Sequence, residues 1–136
     1  GANVSFMSLN SDGFRSRLKQ NASAGKKLVD HNPAMYESYW ATHDLAMKAG
    51  ALDQRTKELV ALALVVTMKC DVCITFHVRA CLKAKASREE IYDVLNVAVM
   101  QGDGSALVHA NYAAEALDEY LAGRSSNSSR PEPHNH

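Results

Sequence analysis

Apolar residues recur every three or four positions along most of this chain, which is the spacing of one face of an α-helix. The segment that follows Asp53 shows it best, because Leu59, Leu62, Ala63 and Val66 would form a single apolar stripe. Residues 65–67 are β-branched, but they lie inside that stripe and the sequence contains no partner strand for them. The pattern predicts an all-α chain.

Capping residues divide this pattern into about six predicted helices. Asn32 before Pro33 is typical of an N-cap with proline at the first helical position, and Ser87 with Glu90 forms a capping-box pattern. The predicted helices run from Asp12 to Asn21, Pro33 to about Ala49, Asp53 onward, about Asp71 to Ala84, Ser87 to about Gly102, and about Ser105 to Ala122.

The two ends of the chain differ from this periodic part. Residues 1–7 resemble a cloning remnant or a frayed N-terminus. Residues 124–136 are rich in Ser, Asn and Pro and lack apolar side chains, so we predict a disordered tail. Residues 8–123 are then expected to form a single domain, which fits a length of 136 residues with 46% hydrophobic content.

Charge and cysteine content narrow the classes of function. Fifteen Lys and Arg balance fifteen Asp and Glu, which weighs against nucleic-acid or membrane-surface partners. The longest apolar stretch, residues 59–68, is shorter than the roughly 20 residues of a membrane span, and no signal-peptide pattern opens the chain. Three cysteines are too few for a secreted disulfide scaffold. We therefore expect a cytoplasmic protein whose cysteines serve chemistry.

Two of those cysteines and a histidine share one helical face. Cys70, Cys73 and His77 fall within about 60° of one another at 100° per residue. Three-residue spacing on a helix brings two Cα atoms to about 5–6 Å, which a disulfide accepts. This is the geometry that a redox dithiol needs.

The start of this helix favours a reactive thiolate. Asp71 is the expected N-cap, which places Cys73 in the first turn, where free N–H groups favour negative charge. His77 lies four residues later and could take the proton of Cys73. Cys70 precedes the helix and needs a base from elsewhere.

Glu58, among apolar neighbours on the preceding helix, is the candidate for that base. If the two helices are antiparallel around a turn near Lys69, Glu58 lies too far along to touch Cys70 unless the helix bends or a partner subunit contributes. Periodicity alone does not choose Glu58 over Glu37.

Zinc binding is the main rival interpretation of the cysteines. Cys70, Cys73, His77 and Cys81 follow the order C-x2-C-x3-H-x3-C. One continuous helix would spread them over roughly 16 Å, too far for four ligands to meet one ion. We therefore predict no metal or other cofactor, and we interpret Cys81 as a small buried apolar residue.

Other aromatic and histidine side chains have plainer interpretations. We expect core positions for Met35, Tyr36, Tyr39 and Trp40, with the wall of a substrate entrance as the alternative. His43 is expected at the surface or at a cap.

The sequence Glu58-x11-Cys70-x2-Cys73-x3-His77 resembles the signature of the alkyl hydroperoxidase D-like branch of the carboxymuconolactone decarboxylase superfamily. The resemblance covers about residues 33–121 and includes the segment HVRACLKAKASREEIYDVLNVAVMQGD. It implies the all-α bundle of the alkyl hydroperoxidase D-like fold, assembled as trimers that often pair into hexamers. Where the family usually has a glycine this chain has Lys85, which we expect in a left-handed conformation.

The resemblance also implies roles for the residues. Cys73, assisted by His77, would attack a hydroperoxide, and Cys70, assisted by Glu58, would resolve the sulfenic acid as a disulfide. A dithiol donor, such as a lipoyl group on a partner protein, would reduce that disulfide. This chain departs from alkyl hydroperoxidase D at Val72, where that protein has a relay histidine.

Three functional hypotheses remain open from the sequence. The first is a thiol-dependent peroxidase or disulfide oxidoreductase. The second is a decarboxylase-like acid–base enzyme in which Glu58 and His77 react and the cysteines are spectators. The third is a non-catalytic redox sensor. His109, on the last predicted helix, could line a pocket in any of them.

Overall fold

The computed structural model describes residues 13–128, with side chains described for residues 13–124. Six helices make up this part of the chain, which contains no β-strand: α1 (Gly13–His31), α2 (Pro33–Met47), α3 (Gln54–Thr67), α4 (Asp71–Lys83), α5 (Arg88–Gln101) and α6 (Gly104–Ser128). The predicted all-α bundle of about six helices is confirmed. Between residues 13 and 128, no helix has the length and apolar character to cross a bilayer.

The core lies where α3 packs against α4 and α5, and α6 covers α4 and α5. The predicted stripe of α3 is confirmed, because Leu62 and Val66 are fully buried and Leu59 and Ala63 pack against the core. Burial of each large apolar side chain contributes about 1.5–3 kcal/mol. The other large apolar side chains that are fully buried are Ile74, Val78, Ile91 and Leu117.

The predicted helix starts at α2, α3 and α5 are also confirmed. Asn32 and Asp53 each accept a hydrogen bond from the backbone N–H three residues on, at 3.2 and 2.7 Å. Ser87 and Glu90 form both hydrogen bonds of the capping box. These contacts satisfy backbone donors that the helix itself leaves unpaired.

Two left-handed residues end the helices that flank the cysteine pair. Lys69 has φ 60° after α3, and Lys85 has φ 70° after α4, as expected for the latter from the sequence. Around Lys69 the backbone N–H of Cys70 donates to Val65 O at 3.3 Å, and that of Lys69 to Val66 O at 3.1 Å. This Schellman motif ends α3 and delivers Cys70 directly to the start of α4.

The first helix is longer than predicted. It extends from Gly13 to His31 rather than ending near Asn21. Alanine, lysine and leucine in its second half favour the helix, and they compensate for Gly25, which has open space around it.

The last helix also continues beyond its predicted end at Ala122. It passes through Gly123 and reaches Ser128, so residues 124–128 of the predicted disordered tail are helical. One glycine weakens a long helix by only about 1 kcal/mol and does not end it by itself. The predictions for residues 1–7 and 129–136 lie outside the described residues.

The expectation that α2 contributes to the core is wrong. Met35, Tyr36 and Tyr39 are 50%, 37% and 64% exposed, and no residue of α2 is buried. The main contacts of this helix are with α1 and α3, at the edge of the bundle. Trp40 is the exception, since it is half-buried.

We predict that Gly102→Ala destabilises the protein by about 1–3 kcal/mol, because overpacking displaces well-packed neighbours. A Cβ at this position would clash with the Ala106 side chain and lie 3.1 Å from Ala98 O. The matched control is Gly25→Ala, which meets nothing within 4 Å and should stabilise α1 by about 0.5–1 kcal/mol. Urea unfolding followed by circular dichroism measures both, and equal midpoints for the two variants would contradict the prediction.

Candidate functional site

Cys70 and Cys73 form a disulfide at the start of α4, with their Cα atoms 5.2 Å apart. The spacing inferred from helical geometry is thus confirmed. Cys70, rather than Asp71 as predicted, is the N-cap: it has extended φ and ψ, and its Sγ accepts a hydrogen bond from the Cys73 N–H at 3.4 Å. The Schellman motif explains why Cys70 is the N-cap, because α3 ends at this motif and the next residue, Cys70, adopts the extended conformation of an N-cap.

Cys73 occupies the third position of α4, within the first turn. Unpaired N–H groups and the helix dipole there stabilise a thiolate once the disulfide is reduced. The Asp71 carboxylate would oppose that effect, but Arg17 binds it at 3.1 Å and His109 Nε2 lies 3.5 Å from its other oxygen. The cationic contact from Arg17 offsets a negative charge beside the cysteines.

Glu58 and His77 form a hydrogen-bonded pair between α3 and α4, with 2.9 Å between Oε2 and Nδ1. Their side chains are 5% and 14% exposed. The structure thereby distinguishes Glu58 from Glu37, which is exposed on α2. Helices joined by a tight turn at Lys69 run antiparallel, so residues at similar separations from the turn face each other, which brings Glu58 to His77 rather than to Cys70.

This hydrogen bond orients the imidazole of His77. A carboxylate only accepts, so the proton lies on Nδ1 and the remaining nitrogen, Nε2, is free to accept a proton. His77 lies one helical turn after Cys73 on the same face of α4. The arrangement is a buried carboxylate that holds a histidine one helical turn after Cys73.

An aromatic cluster adjoins this pair. The Phe76 ring lies 5.1 Å from that of His77, and Trp40 and His43 of α2 each lie 5.9 Å from Phe76 between ring centroids. His43 is therefore packed against aromatic rings, with 25% of its side chain exposed, and is not the surface or cap residue expected. Trp40 Nε1 and His43 Nε2 are buried without a hydrogen-bond partner among the described residues.

His109 is half-buried on α6, where its Nδ1 lies 2.7 Å from Ser105 O. Its other nitrogen faces Asp71, so this residue approaches the first turn of α4. From the sequence, His109 is predicted only to line a pocket, and Arg17 is not predicted to be part of the site. No local pattern links either residue to Asp71, because they lie far from it along the chain.

Cys81 is fully buried, as interpreted from the sequence. Burial, followed by the nearby charge of Glu58, raises the pKa of the Cys81 thiol from 9.0 to about 12. The thiol therefore stays protonated near neutral pH. Among residues 13–124, no three His, Cys, Asp or Glu side chains form a group that could hold a metal ion.

Residues 33–116 match the model of a family described as the carboxymuconolactone decarboxylase family. An uncharacterised protein in the cox locus of Paracoccus denitrificans is 36% identical over 102 residues, covering 75% of this chain and 86% of that protein. An uncharacterised protein of Cupriavidus necator is 33% identical over 105 residues, covering 77% of this chain and 93% of its own length.

Solved structures share the fold. A carboxymuconolactone decarboxylase family protein from Legionella pneumophila, in its apo form, has a TM-score of 0.77 at 37% identity, covering 80% of this chain and 97% of its own. A Thermotoga maritima protein of the same family, described with a suggested involvement in the antioxidative response, has a TM-score of 0.72 at 25% identity. That match covers 84% of this chain and 97% of the Thermotoga chain.

We predict that Cys81 resists alkylation in the folded protein. After reduction with dithiothreitol, iodoacetamide at about pH 8 should label Cys70 and Cys73 and leave Cys81 unmodified, because only thiolates react at an appreciable rate. The same reagent in guanidinium chloride should label all three cysteines. Peptide mass spectrometry measures the labelling, and comparable rates for Cys81 and Cys73 in the folded protein would contradict the prediction.

Proposed function

The chain belongs to the carboxymuconolactone decarboxylase family, and we propose that it acts as a thiol-dependent peroxidase or disulfide oxidoreductase that reduces hydroperoxides. The observation that carries this proposal is the disulfide-bonded pair Cys70 and Cys73 at the start of α4, with His77 of the buried Glu58–His77 pair one helical turn after Cys73. The antioxidative role suggested for the Thermotoga relative supports the same chemistry.

The first step begins from the reduced pair. His77 accepts the proton of Cys73, and the thiolate attacks one oxygen of the hydroperoxide. The O–O bond breaks, the leaving alkoxide takes the proton from His77, and an alcohol is released. The Cys73 sulfur is oxidised to the sulfenic acid while the peroxide is reduced by the same two electrons.

In the second step the Cys70 sulfur attacks the sulfenic sulfur of Cys73. An S–S bond forms, the S–O bond breaks, and the hydroxyl leaves as water with the proton of Cys70. The 5.2 Å between the two Cα atoms in the disulfide matches the roughly 5–6 Å that three-residue helical spacing provides without the bond, which favours closure with little backbone movement. An external dithiol, which we propose is a lipoyl-type group on a partner protein, then reduces the disulfide and becomes oxidised itself.

Glu58 acts through His77 in this mechanism. Its carboxylate fixes the imidazole orientation and stabilises the imidazolium that forms while Cys73 is a thiolate. The assistance to Cys70 that the family resemblance implies would run by way of the imidazole or through water. Val72 offers no ionisable group in place of the relay histidine.

The Glu58–His77 pair also favours the second hypothesis, a decarboxylase-like acid–base enzyme. A buried carboxylate that orients a histidine is what a general base requires. Under this hypothesis the cysteines are spectators, so their replacement separates the two mechanisms.

We also propose that the protein works in the cytoplasm as a homotrimer or hexamer. The exposed apolar side chains of α2, among them Met35, Tyr39 and Leu45, would then be covered by neighbouring subunits. Sedimentation velocity measures the assembly, and a stable monomer at micromolar concentration would oppose it.

We predict that one equivalent of cumene hydroperoxide converts reduced Cys70 and Cys73 to their disulfide and leaves Cys81 free. Alkylation followed by peptide mass spectrometry counts the thiols. Cys73→Ser should abolish peroxide consumption, whereas Cys70→Ser should accumulate a sulfenic acid that dimedone traps.

Other outcomes of this experiment select the other hypotheses. Unreacted thiols in the wild type would refute the peroxidase. If the oligomeric state nevertheless responds to oxidant, the redox sensor is favoured. Undiminished turnover of a lactone or keto-acid substrate by Cys73→Ser would favour acid–base catalysis.

We predict that Glu58→Gln slows the oxidation of Cys73 by about 10²-fold, the usual contribution of a positioned acid–base pair. The amide keeps the volume of the side chain but removes the charge that supports the imidazolium. Stopped-flow oxidation followed by thiol quantification measures the rate, and its pH dependence should change as well. Glu37→Gln, on the exposed face of α2, is the matched control and should oxidise at the wild-type rate. A Glu58→Gln variant that is folded and equally fast would contradict the assignment.

A further inference from the structure

A cavity lies between α1, the C-terminal half of α4 and the C-terminal half of α6, and it has a volume of about 520 Å³. This basic pocket, as we name it, has a partly apolar floor that includes Leu18, the buried Leu82 and the ring of Tyr120. Five cationic side chains surround this floor: Arg15, Lys19, Arg79, Lys83 and Arg124.

Within residues 13–124, positive charge outweighs negative charge around the basic pocket, although the whole chain is neutral. Glu119 lies at the edge of the pocket, where its Oε1 accepts a hydrogen bond from the Arg15 backbone N–H at 3.2 Å. Within residues 13–124 none of the five cationic side chains forms an ion pair. By contrast, Arg17, Lys26 and Lys69 are each bound to an aspartate. Like charges concentrated around a concavity create a field that attracts anions.

Two features of α6 shape this cavity. The Arg15 guanidinium lies 5.8 Å from the centroid of the Tyr120 ring, and a Cβ at Gly123 would come within 2.9 Å of Arg15 Nη1. The absence of a side chain at Gly123 therefore gives the guanidinium room beside the helix. Burial, opposed by the positive charges of Arg79 and Arg15, raises the pKa of Tyr120, so its hydroxyl stays a hydrogen-bond donor.

We propose that the basic pocket binds a small organic molecule that carries a phosphate group. Arginine forks and lysine ammonium groups match the charge and geometry of a phosphate, with shorter and stronger hydrogen bonds than neutral donors make. The organic part would lie on Leu18 and Tyr120. A phosphorylated small molecule fits better than an acidic polypeptide, because the cavity has the volume typical of small-molecule sites and reaches down to the buried Leu82.

This site is separate from the cysteine pair. Arg79 and Lys83 lie six and ten residues after Cys73 on the same helix, which is about 9 and 15 Å along its axis. Occupation of the basic pocket does not require the redox chemistry proposed above, and its test does not depend on peroxide consumption.

Isothermal titration calorimetry of the full chain with ADP tests this proposal. The double variant Arg79→Gln/Lys83→Gln, at exposed positions, should bind ADP about tenfold or more weakly than the wild type, because each lost charge removes charge-assisted hydrogen bonds. The matched control, Lys27→Gln/Arg88→Gln, loses the same charge at exposed positions outside the pocket and should bind like the wild type. Thermal unfolding of all three proteins checks that each is folded.

Two further probes identify what the pocket recognises. Inorganic pyrophosphate carries the phosphate charge without an organic part and should bind more weakly than ADP, while hexaglutamate stands for an acidic polypeptide. The proposal would be overturned if the wild type did not bind ADP at millimolar concentration, or if the two double variants bound ADP equally well. It would also be overturned if pyrophosphate bound at least as tightly as ADP, or if hexaglutamate bound more tightly than ADP.

Discussion

The left-handed turn at Lys69 determines how the rest of the site is assembled. Its Schellman hydrogen bonds end α3 and place Cys70 at the N-cap of α4, so the cysteine pair begins at the first turn of a helix. The same turn sets the register of two antiparallel helices, and that register brings Glu58 opposite His77. A shift of one residue would rotate these side chains by about 100° and separate them.

Burial of a carboxylate is costly unless hydrogen bonds and an opposite charge compensate for it. Glu58 lies in the core with His77 as its hydrogen-bond partner, and its charge also contributes to the raised pKa of Cys81. One buried group thus orients His77 and helps to keep the Cys81 thiol protonated. The raised pKa makes Cys81 a weak nucleophile near neutral pH, which leaves Cys70 and Cys73 as the cysteines available for the proposed chemistry.

Charge is distributed unevenly along α4. At its N-terminal end Arg17 offsets the Asp71 carboxylate beside the cysteines. At its C-terminal end Arg79 and Lys83 join cationic residues of α1 and α6 around an apolar floor. The two ends of α4 therefore have different electrostatic environments, although the net charge of the chain is zero. A neutral chain can still hold a local cluster of cations that attracts a small anionic ligand.

The sequence by itself determined what depends on neighbours a few residues apart: the all-α class, the caps at Asn32, Asp53 and Ser87, and the proximity of Cys70 to Cys73. These features follow from hydrogen bonds and spacings within one helical turn, which are fully encoded locally. Helix ends depend on more than the local residues, because one glycine neither ends a helix nor forbids it.

Only the tertiary structure decided which carboxylate meets His77, which groups bind Asp71, and that α2 exposes its apolar side chains. It also gathered the cations of the basic pocket, with Arg15 and Arg124 at opposite ends of the described chain. Each of these depends on the register and crossing of helices that are distant in sequence. Many apolar contacts fix that packing together, and no single segment of the chain specifies it.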